Sequence, residues 1–251
     1  MSKKVAYFIG IGGAGMSSIA RYLNKKGWSV SGYDKTETSL TDSLKKEGIK
    51  INFNLCDSSI PDEIKKNDLL LVTTPAISSD HPHLVALKKL GHTAIKRAEL
   101  LGNITNSKTT LAISGTHGKT STTAILAHII DGTPQRCNAF IGGVSAETDS
   151  NLYYSPNAKW TVIEADEFDR SFHQLHPTHA AITSIDPDHL DIYGSESNFI
   201  EAFKIFASQV KEKIIVHHSI ASTFTHLQNL ETYGLEDCSL NYYATDLSPT
   251  S

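Results

Sequence analysis

The sequence predicts an α/β protein, with an N-terminal Rossmann-like parallel-sheet domain followed by a P-loop-type α/β domain. Short apolar runs of strand length alternate with amphipathic stretches of helix length along most of the chain. The first run, residues 5–9, enters a glycine-rich turn, and a later run, residues 111–113, enters a second glycine-containing turn that opens a helical pattern. In parallel sheets ligands gather where such turns leave the carboxyl ends of strands, and two separate turns favour two domains.

In the first half, residues 5–9 form a buried strand that runs into Gly10, Gly12 and Gly15, spaced G-x-G-x-x-G. The helix that follows carries Ile19, Ala20 and Leu23 on one face, and a strand over residues 28–33 ends at Asp34. An acid about 20 positions past the glycines is where dinucleotide sites hold a ribose hydroxyl; a solvated turn aspartate is the bland alternative. Residues 40–47 suit a helix, 49–53 a strand, and 69–72 a buried strand ending in Thr73, Thr74, Pro75, Ala76 and Ile77, a polar turn able to wall the same site. Residues 82–90 read as helix, 93–95 as strand, and 97–101, starting at Arg97, as a further helical turn. A polar connector over 102–108 places the boundary between domains 1–106 and 107–251.

The second domain starts with the strand at 111–113, the loop Gly115, Thr116, His117, Gly118, and a helix from Lys119, Thr120 and Ser121 to about residue 130. Amides of a first helical turn and the helix dipole attract phosphate, Lys119 neutralises phosphate oxygens, and the Thr120 hydroxyl suits Mg2+. The full pattern G-x-x-x-x-G-K-[ST] wants glycine at 113, where this chain has Ile113, so an ordinary strand-to-helix turn stays open. Beyond a Gly- and Asn-rich stretch with one apolar piece at 139–141, a strand at 160–163 ends in Glu164, Asp166, Glu167 and Asp169. Carboxylates so crowded repel unless a cation sits among them; a solvated acidic loop is the alternative. A strand at 180–185 ends in Asp186, Asp188, His189 and Asp191, a histidine between aspartates that suits a metal. His173, His176 and His179 are broken by Pro177 and read as loop and surface residues. A helix at 198–206 and a strand at 213–216 follow, and from Ser219 the signals weaken. Lys119 with Thr120, Glu164 and His189 thus stand at three strand ends, able to converge on one Mg–nucleotide.

With 39% hydrophobic and 20% charged residues, the chain reads as a globular protein. A net charge of −4 gives no electrostatic footprint for nucleic acid. Cys56, Cys137 and Cys238 are far apart and form no C-x-x-C pair, so they suggest neither a disulfide framework nor a zinc ribbon and fit a reducing cytoplasm. No apolar run reaches membrane-spanning length, and the N-terminal one is broken at Gly10 without a cleavage site, unlike a signal peptide.

Gly12-Gly13-Ala14-Gly15-Met16, the sequence from Gly115 to Thr120, Glu164 to Glu167, and Asp188-His189-Leu190-Asp191 resemble the motifs of the Mur ligases. The likeness covers the chain to about residue 216, and the family's shortened phosphate loop accounts for Ile113. Among these ligases it is most similar to those that add the first amino acid to the peptidoglycan precursor. The resemblance implies ATP-dependent amide formation between UDP-N-acetylmuramate and L-alanine, with ATP and Mg2+ required. It implies that Gly12, Gly13, Ala14, Gly15 and Met16 meet the diphosphate of the UDP-sugar, with Asp34, Thr73, Thr74, Ala76, Ile77 and Arg97 around the nucleotide. Gly115, Thr116, His117, Gly118, Lys119, Thr120 and Ser121 would hold the ATP phosphates. Thr120, Glu164 and His189 would ligate metal, and His117, Arg170 and Ser171 would face the lactyl group. Lys119, Glu164 and His189 are the implied catalytic residues.

Ser121 stands where a third threonine is common, a change that keeps the hydroxyl. Nothing after Val216 matches the adenine-reading segment or the C-terminal ligase domain of the family, so the chain reads as a truncated ligase. Two rivals remain: an NAD-dependent oxidoreductase, permitted by the first glycine loop and Asp34, and a non-catalytic nucleotide-binding fragment.

Overall fold

The structure is a computed structural model that describes residues 4–66, 68–145, 150–188 and 190–248. By compactness the chain falls into two units, Met1–Leu101 with Asn138–Pro156, and Gly102–Cys137 with Asn157–Ser251.

The first unit begins with β1 (Val5–Ile9), α1 (Ala14–Lys25), β2 (Ser29–Tyr33), α2 (Ser39–Lys46) and β3 (Lys50–Asn52). It continues with α3 (Asp62–Lys66), β4 (Leu69–Thr73), α4 (Pro82–Lys89), β5 (Ala94–Lys96) and the start of α5 (Arg97–Thr105). The strands pair in parallel in the order β3-β2-β1-β4-β5. Strand order reverses at β1, so its glycine turn opens into the crevice between the ends of β2 and β4. Val5, Tyr7, Ile9, Tyr33, Leu69 and Leu71 bury one face against Leu84 and Leu87 of α4 and Ile60 and Ile64 beside it. Local signals agree with this packing: Thr38 and Thr41 form a capping box on α2, and Pro82 opens α4 with its fixed φ. Between β3 and the end of α5 the sequence reading differs from the structure in two places. One is α3, and the other is the extension of α5 through the supposed connector to Thr105, since polar Asn103 and Thr105 do not themselves stop a helix.

The second unit starts from β6 (Thr109–Ser114) and α6 (Lys119–Asp131). The stretch that follows, read from sequence as mainly irregular, is an antiparallel hairpin of β7 (Cys137–Ser145) and β8 (Ser150–Tyr153), which from Asn138 belongs to the first unit. Its buried Asn138 and Asn151 and its glycines Gly142 and Gly143 give it the composition of a loop. The second unit then continues with β9 (Trp160–Glu164), β10 (His179–Ile182), α7 (Leu190–Tyr193), α8 (Glu196–Ser208) and β11 (Lys213–His217). Beyond it, where the sequence signals weaken, β12 (Leu230–Leu235) and β13 (Tyr242–Ala244) add two more parallel strands. The order β13-β12-β11-β10-β6-β9 leaves β6 central, flanked by β10 and β9. Phe199, Phe203 and Phe206 of α8 pack with Phe172, all fully buried. Truncating any one to alanine costs about 3–5 kcal/mol. Gly102 lies so close to the Gln174 carbonyl that a Cβ there has no room.

Candidate functional site

The register of β6 fixes the geometry of the second glycine turn. Ile113 stands opposite Glu164 on β9 and Ser114 opposite Ile182 on β10, so the turn leaves the sheet between Glu164 and residues 183–188. Those residues hold it from one side. The Thr116 amide donates to the Ser184 carbonyl (3.1 Å), the His117 amide to Ser184 Oγ (3.1 Å), and Thr116 Oγ1 to the Asp186 carbonyl (2.8 Å). Thr183 Oγ1 donates to the carbonyls of Ser114 and His117 and fills the space that a Cβ on Gly115 would need. Gly115 and Gly118 have φ of +129° and +80°, which L side chains rarely adopt. Both glycines are therefore required by the turn, and Ile113, a buried strand residue, needs no such freedom.

Gly118 caps α6 in the left-handed region with no side-chain cap. The first-turn amides of Lys119, Thr120 and Ser121 thus have no intrahelical carbonyl to bond, the arrangement in which helices receive phosphate. The structure brings Thr120 and Glu164 together: the hydroxyl lies 2.9 and 3.1 Å from the two carboxylate oxygens. Lys119 Nζ donates to the Gly115 carbonyl (2.7 Å) and to Glu167 Oε1 (2.9 Å), with Glu167 Oε2 at 2.8 Å. The Glu167 side chain is 2% exposed, against 14% for Lys119. Sequence reading left Glu167 inside an undifferentiated acidic run, where nothing marked it as the partner of the lysine.

The residues expected to face the lactyl group lie on the same unit. Asp169 and Arg170 both sit in the left-handed region (φ 51° and 54°), a strain of about 1–2 kcal/mol per residue. The Arg170 guanidinium lies 4.8 Å from the Tyr193 ring centre, and the Tyr193 hydroxyl donates to the Glu167 carbonyl (2.6 Å). Burial, with the surrounding acids opposing Arg170, pushes that phenol up to about 12. Ser171 is half-buried beside Arg170, and His117 is exposed, its Nε2 3.8 Å from Asp186 Oδ2. His189 lies outside the described residues.

Whether these oxygens fit magnesium is decided by donor type. A hydroxyl and a carboxylate about 3 Å apart are hard ligands, and magnesium is usually held by one or two carboxylates plus phosphate rather than by a protein cage. Among the described residues no three His, Cys, Asp or Glu side chains cluster as a cage.

In the first unit, Gly10 has φ +87° and packs against Thr74 and Ile77, while Arg97 crosses directly over Gly15, where a Cβ would meet Nη1 at 2.6 Å. Asp34 Oδ2 accepts from the Gly12 amide (2.7 Å), so this acid holds the loop itself. The amides of Gly10 and Ile11 donate to the Tyr33 carbonyl, Gly13 to Gly10, and Met16 to Gly13. The amides of Ala14 and Gly15 have no such partner among the described residues and stand in the first turn of α1, the kind of position where a helix start can receive an anion. The Met16 side chain is buried in the core, and half-buried Thr73 holds its hydroxyl enclosed without a hydrogen-bond partner among the described residues. Ala76 is exposed on the same turn as Thr74.

Two family models match this arrangement in sequence: "Mur ligase family, catalytic domain" over residues 5–109 and "Mur ligase middle domain" over residues 113–251. The second match extends the likeness past residue 216, through β12 and β13. The UDP-N-acetylmuramate--L-alanine ligase of Porphyromonas gingivalis is 43% identical, covering 97% of this chain and 55% of that protein. That of Christiangramia forsetii is 50% identical, covering 82% and 46%. The chain thus spans about half the length of the curated relatives it matches. Among solved structures, UDP-N-acetylmuramate-alanine ligase from Thermotoga maritima superposes with a TM-score of 0.80 at 27% identity, over 94% of this chain and 53% of that one. The UDP-N-acetylmuramate:L-alanyl-gamma-D-glutamyl-meso-diaminopimelate ligase from Neisseria meningitides shares the fold (TM-score 0.82, 24% identity, 93% and 78% covered). These matches favour neither the oxidoreductase nor the non-catalytic fragment, and with both glycine turns inside matched segments, the chain belongs to the Mur ligase family.

Proposed function

We propose that this chain carries the sugar-nucleotide and ATP sites of a ligase that joins L-alanine to the lactyl carboxylate of UDP-N-acetylmuramate. The observation that carries the reading is the approach of Thr120 to Glu164, with Lys119 one residue away on the same loop, in a chain 43% identical to ligases of that name. Residues 1–106 take the UDP-sugar: Ala14 and Gly15 amides and Arg97 meet the diphosphate, and Asp34, Thr74 and Ile77 line the nucleotide. Residues 107–251 take ATP, its phosphates lying on Gly115 to Ser121.

The lactyl carboxylate attacks the γ-phosphorus and ADP leaves, giving an acyl phosphate. The amine of alanine then adds to the acyl carbon, and inorganic phosphate departs as the amide forms. Two anions must approach in the first step, so electrostatic stabilisation decides the rate. Lys119 and the first-turn amides of α6 hold and neutralise the phosphates, while Arg170, Ser171 and His117 orient the lactyl end. Thr120, Glu164 and His189 are the residues that would hold Mg2+, which when bound supplies charge neutralisation at the transferred phosphoryl group. Among the described residues no helix is long and apolar enough to cross a membrane, and the proposed location is the cytoplasm.

Calorimetry tests this directly. UDP-N-acetylmuramate is expected to bind and NADH to give no heat, with a non-hydrolysable ATP analogue binding only when magnesium is present. Binding of NADH without response to the sugar nucleotide would return the chain to the oxidoreductase reading.

A further inference from the structure

The ammonium of Lys119 is fully engaged before any nucleotide arrives. Its three N–H groups face the Gly115 carbonyl (2.7 Å), the Thr116 carbonyl (3.4 Å) and Glu167 (2.9 Å). Glu167 is the buried member of the pair, and a carboxylate so enclosed depends on its cation. Removing that negative charge while keeping the shape leaves Lys119 over the loop with only neutral partners, which raises the positive potential at the phosphate position.

We propose that Glu167 is a positioning residue that acts through Lys119. It is the resident counter-ion that holds the ammonium drawn back on the turn, and it yields that ammonium to the polyphosphate when nucleotide binds. This rests on the reading of the turn as a nucleotide site. Polyphosphate therefore competes with a buried carboxylate, and nucleotide affinity is lower than the turn alone would give. The exchange is felt beyond the lysine, because the Glu167 carbonyl accepts from Tyr193, whose ring carries Arg170.

The test titrates magnesium and a non-hydrolysable ATP analogue into the wild-type chain, Glu167→Gln, Glu167→Asp and Lys119→Ala. A counter-ion predicts that Glu167→Gln, neutral and isosteric, binds about five- to tenfold more tightly than wild type. Glu167→Asp, charged but a methylene shorter, should fall between the two. A role in packing alone predicts a different order, with Gln equal to wild type and Asp weakest, and that result overturns the proposal. If Glu167→Gln melts below the assay temperature, Glu167→Asp decides by itself: tighter than wild type supports the counter-ion, equal or weaker refutes it. Failure of wild type to bind, or undiminished binding by Lys119→Ala, refutes instead the nucleotide-site reading.

Discussion

The Gly12 amide donates to Asp34 Oδ2 at 2.7 Å, so the acid that ends β2 also fixes the glycine turn that ends β1. Its other oxygen accepts from the Thr36 amide at 3.1 Å. Asp34→Ala removes an acceptor from two amides, and a hydrogen bond to a charged group contributes about 1.5–3 kcal/mol. Urea unfolding should show a loss of about 2 kcal/mol, with UDP-N-acetylmuramate affinity falling as the turn loosens. Asp34→Asn keeps one acceptor oxygen and should recover part of the stability. An unchanged urea midpoint in Asp34→Ala would mean that the bond to Gly12 contributes nothing.

Gly115 and Gly118 should respond to alanine differently. At 115 a methyl group meets Thr183 Oγ1 and the Ser184 backbone in a left-handed conformation; at 118 its nearest neighbour is Thr122 Oγ1 at 3.9 Å. Gly118→Ala therefore costs about 1 kcal/mol of backbone strain. Gly115→Ala adds displacement of the 183–186 segment and should lose nucleotide binding altogether. Thermal melts and analogue titration on both variants separate strain from collision; equal effects would remove the role given to Thr183.

Glu164 and Thr120 lie within hydrogen-bond distance where a hard cation would join them. Glu164→Gln keeps the size and removes the charge, so at fixed analogue concentration the magnesium needed for half-saturation should rise about tenfold or more. A titration superimposable on wild type would return the acidic run to solvent.

The first sheet was legible in the sequence because strand runs such as 5–9 and 69–72 are largely buried and read as continuous apolar segments, and the second only over β6, β9, β10 and β11. Thr120 and Glu164 were legible because each ends a strand or opens a helix, where pattern and chemistry coincide. Glu167 was not, since its burial and its bond to Lys119 depend on how the 166–171 turn folds back in left-handed steps that no local propensity announces. Nor was the hairpin of β7 and β8: its Asn151 is buried as a hydrogen-bonding residue, which composition reads as loop.

Tyr193 links the site to alkaline stability. Its folded pKa, about 12, lies above the usual 10, chiefly through burial, so the fold favours the neutral phenol. That contribution is complete below pH 10 and is lost as pH rises from 10 through 12. Tyr7, Tyr22, Tyr33 and Tyr233 are raised in the same direction. Tyr193→Phe should lose about 1 kcal/mol at neutral pH with the bond to the Glu167 carbonyl, and flatten the decline above pH 10 by its own share. Melts at pH 8 and pH 10.5 test both parts; an unaltered alkaline slope would place the titration elsewhere.

Arg21 is the least legible of the consequential residues, a charged side chain only 1% exposed on α1. Its Nε donates to Glu47 Oε1 (2.7 Å), Nη2 to Ser43 Oγ (2.8 Å) and Nη1 to Asn151 Oδ1. Asn151 in turn donates to the Ala14 carbonyl (2.7 Å) and Ser17 Oγ (2.8 Å), tying β8 to the helix that opens at the first glycine turn. Arg21→Met keeps apolar bulk but leaves Asn151 Oδ1 buried without its donor and Glu47 without its cation, at a cost of about 3 kcal/mol. Arg21→Lys should recover little, because a single ammonium cannot serve three acceptors spread across a planar fork. Hydrogen exchange at residues 150–153 should accelerate in both variants, and sugar-nucleotide affinity should drop as Ala14 loses its anchor. If Arg21→Lys instead matched wild type in urea and in exchange, charge alone would suffice and the guanidinium geometry would have no part in holding the hairpin.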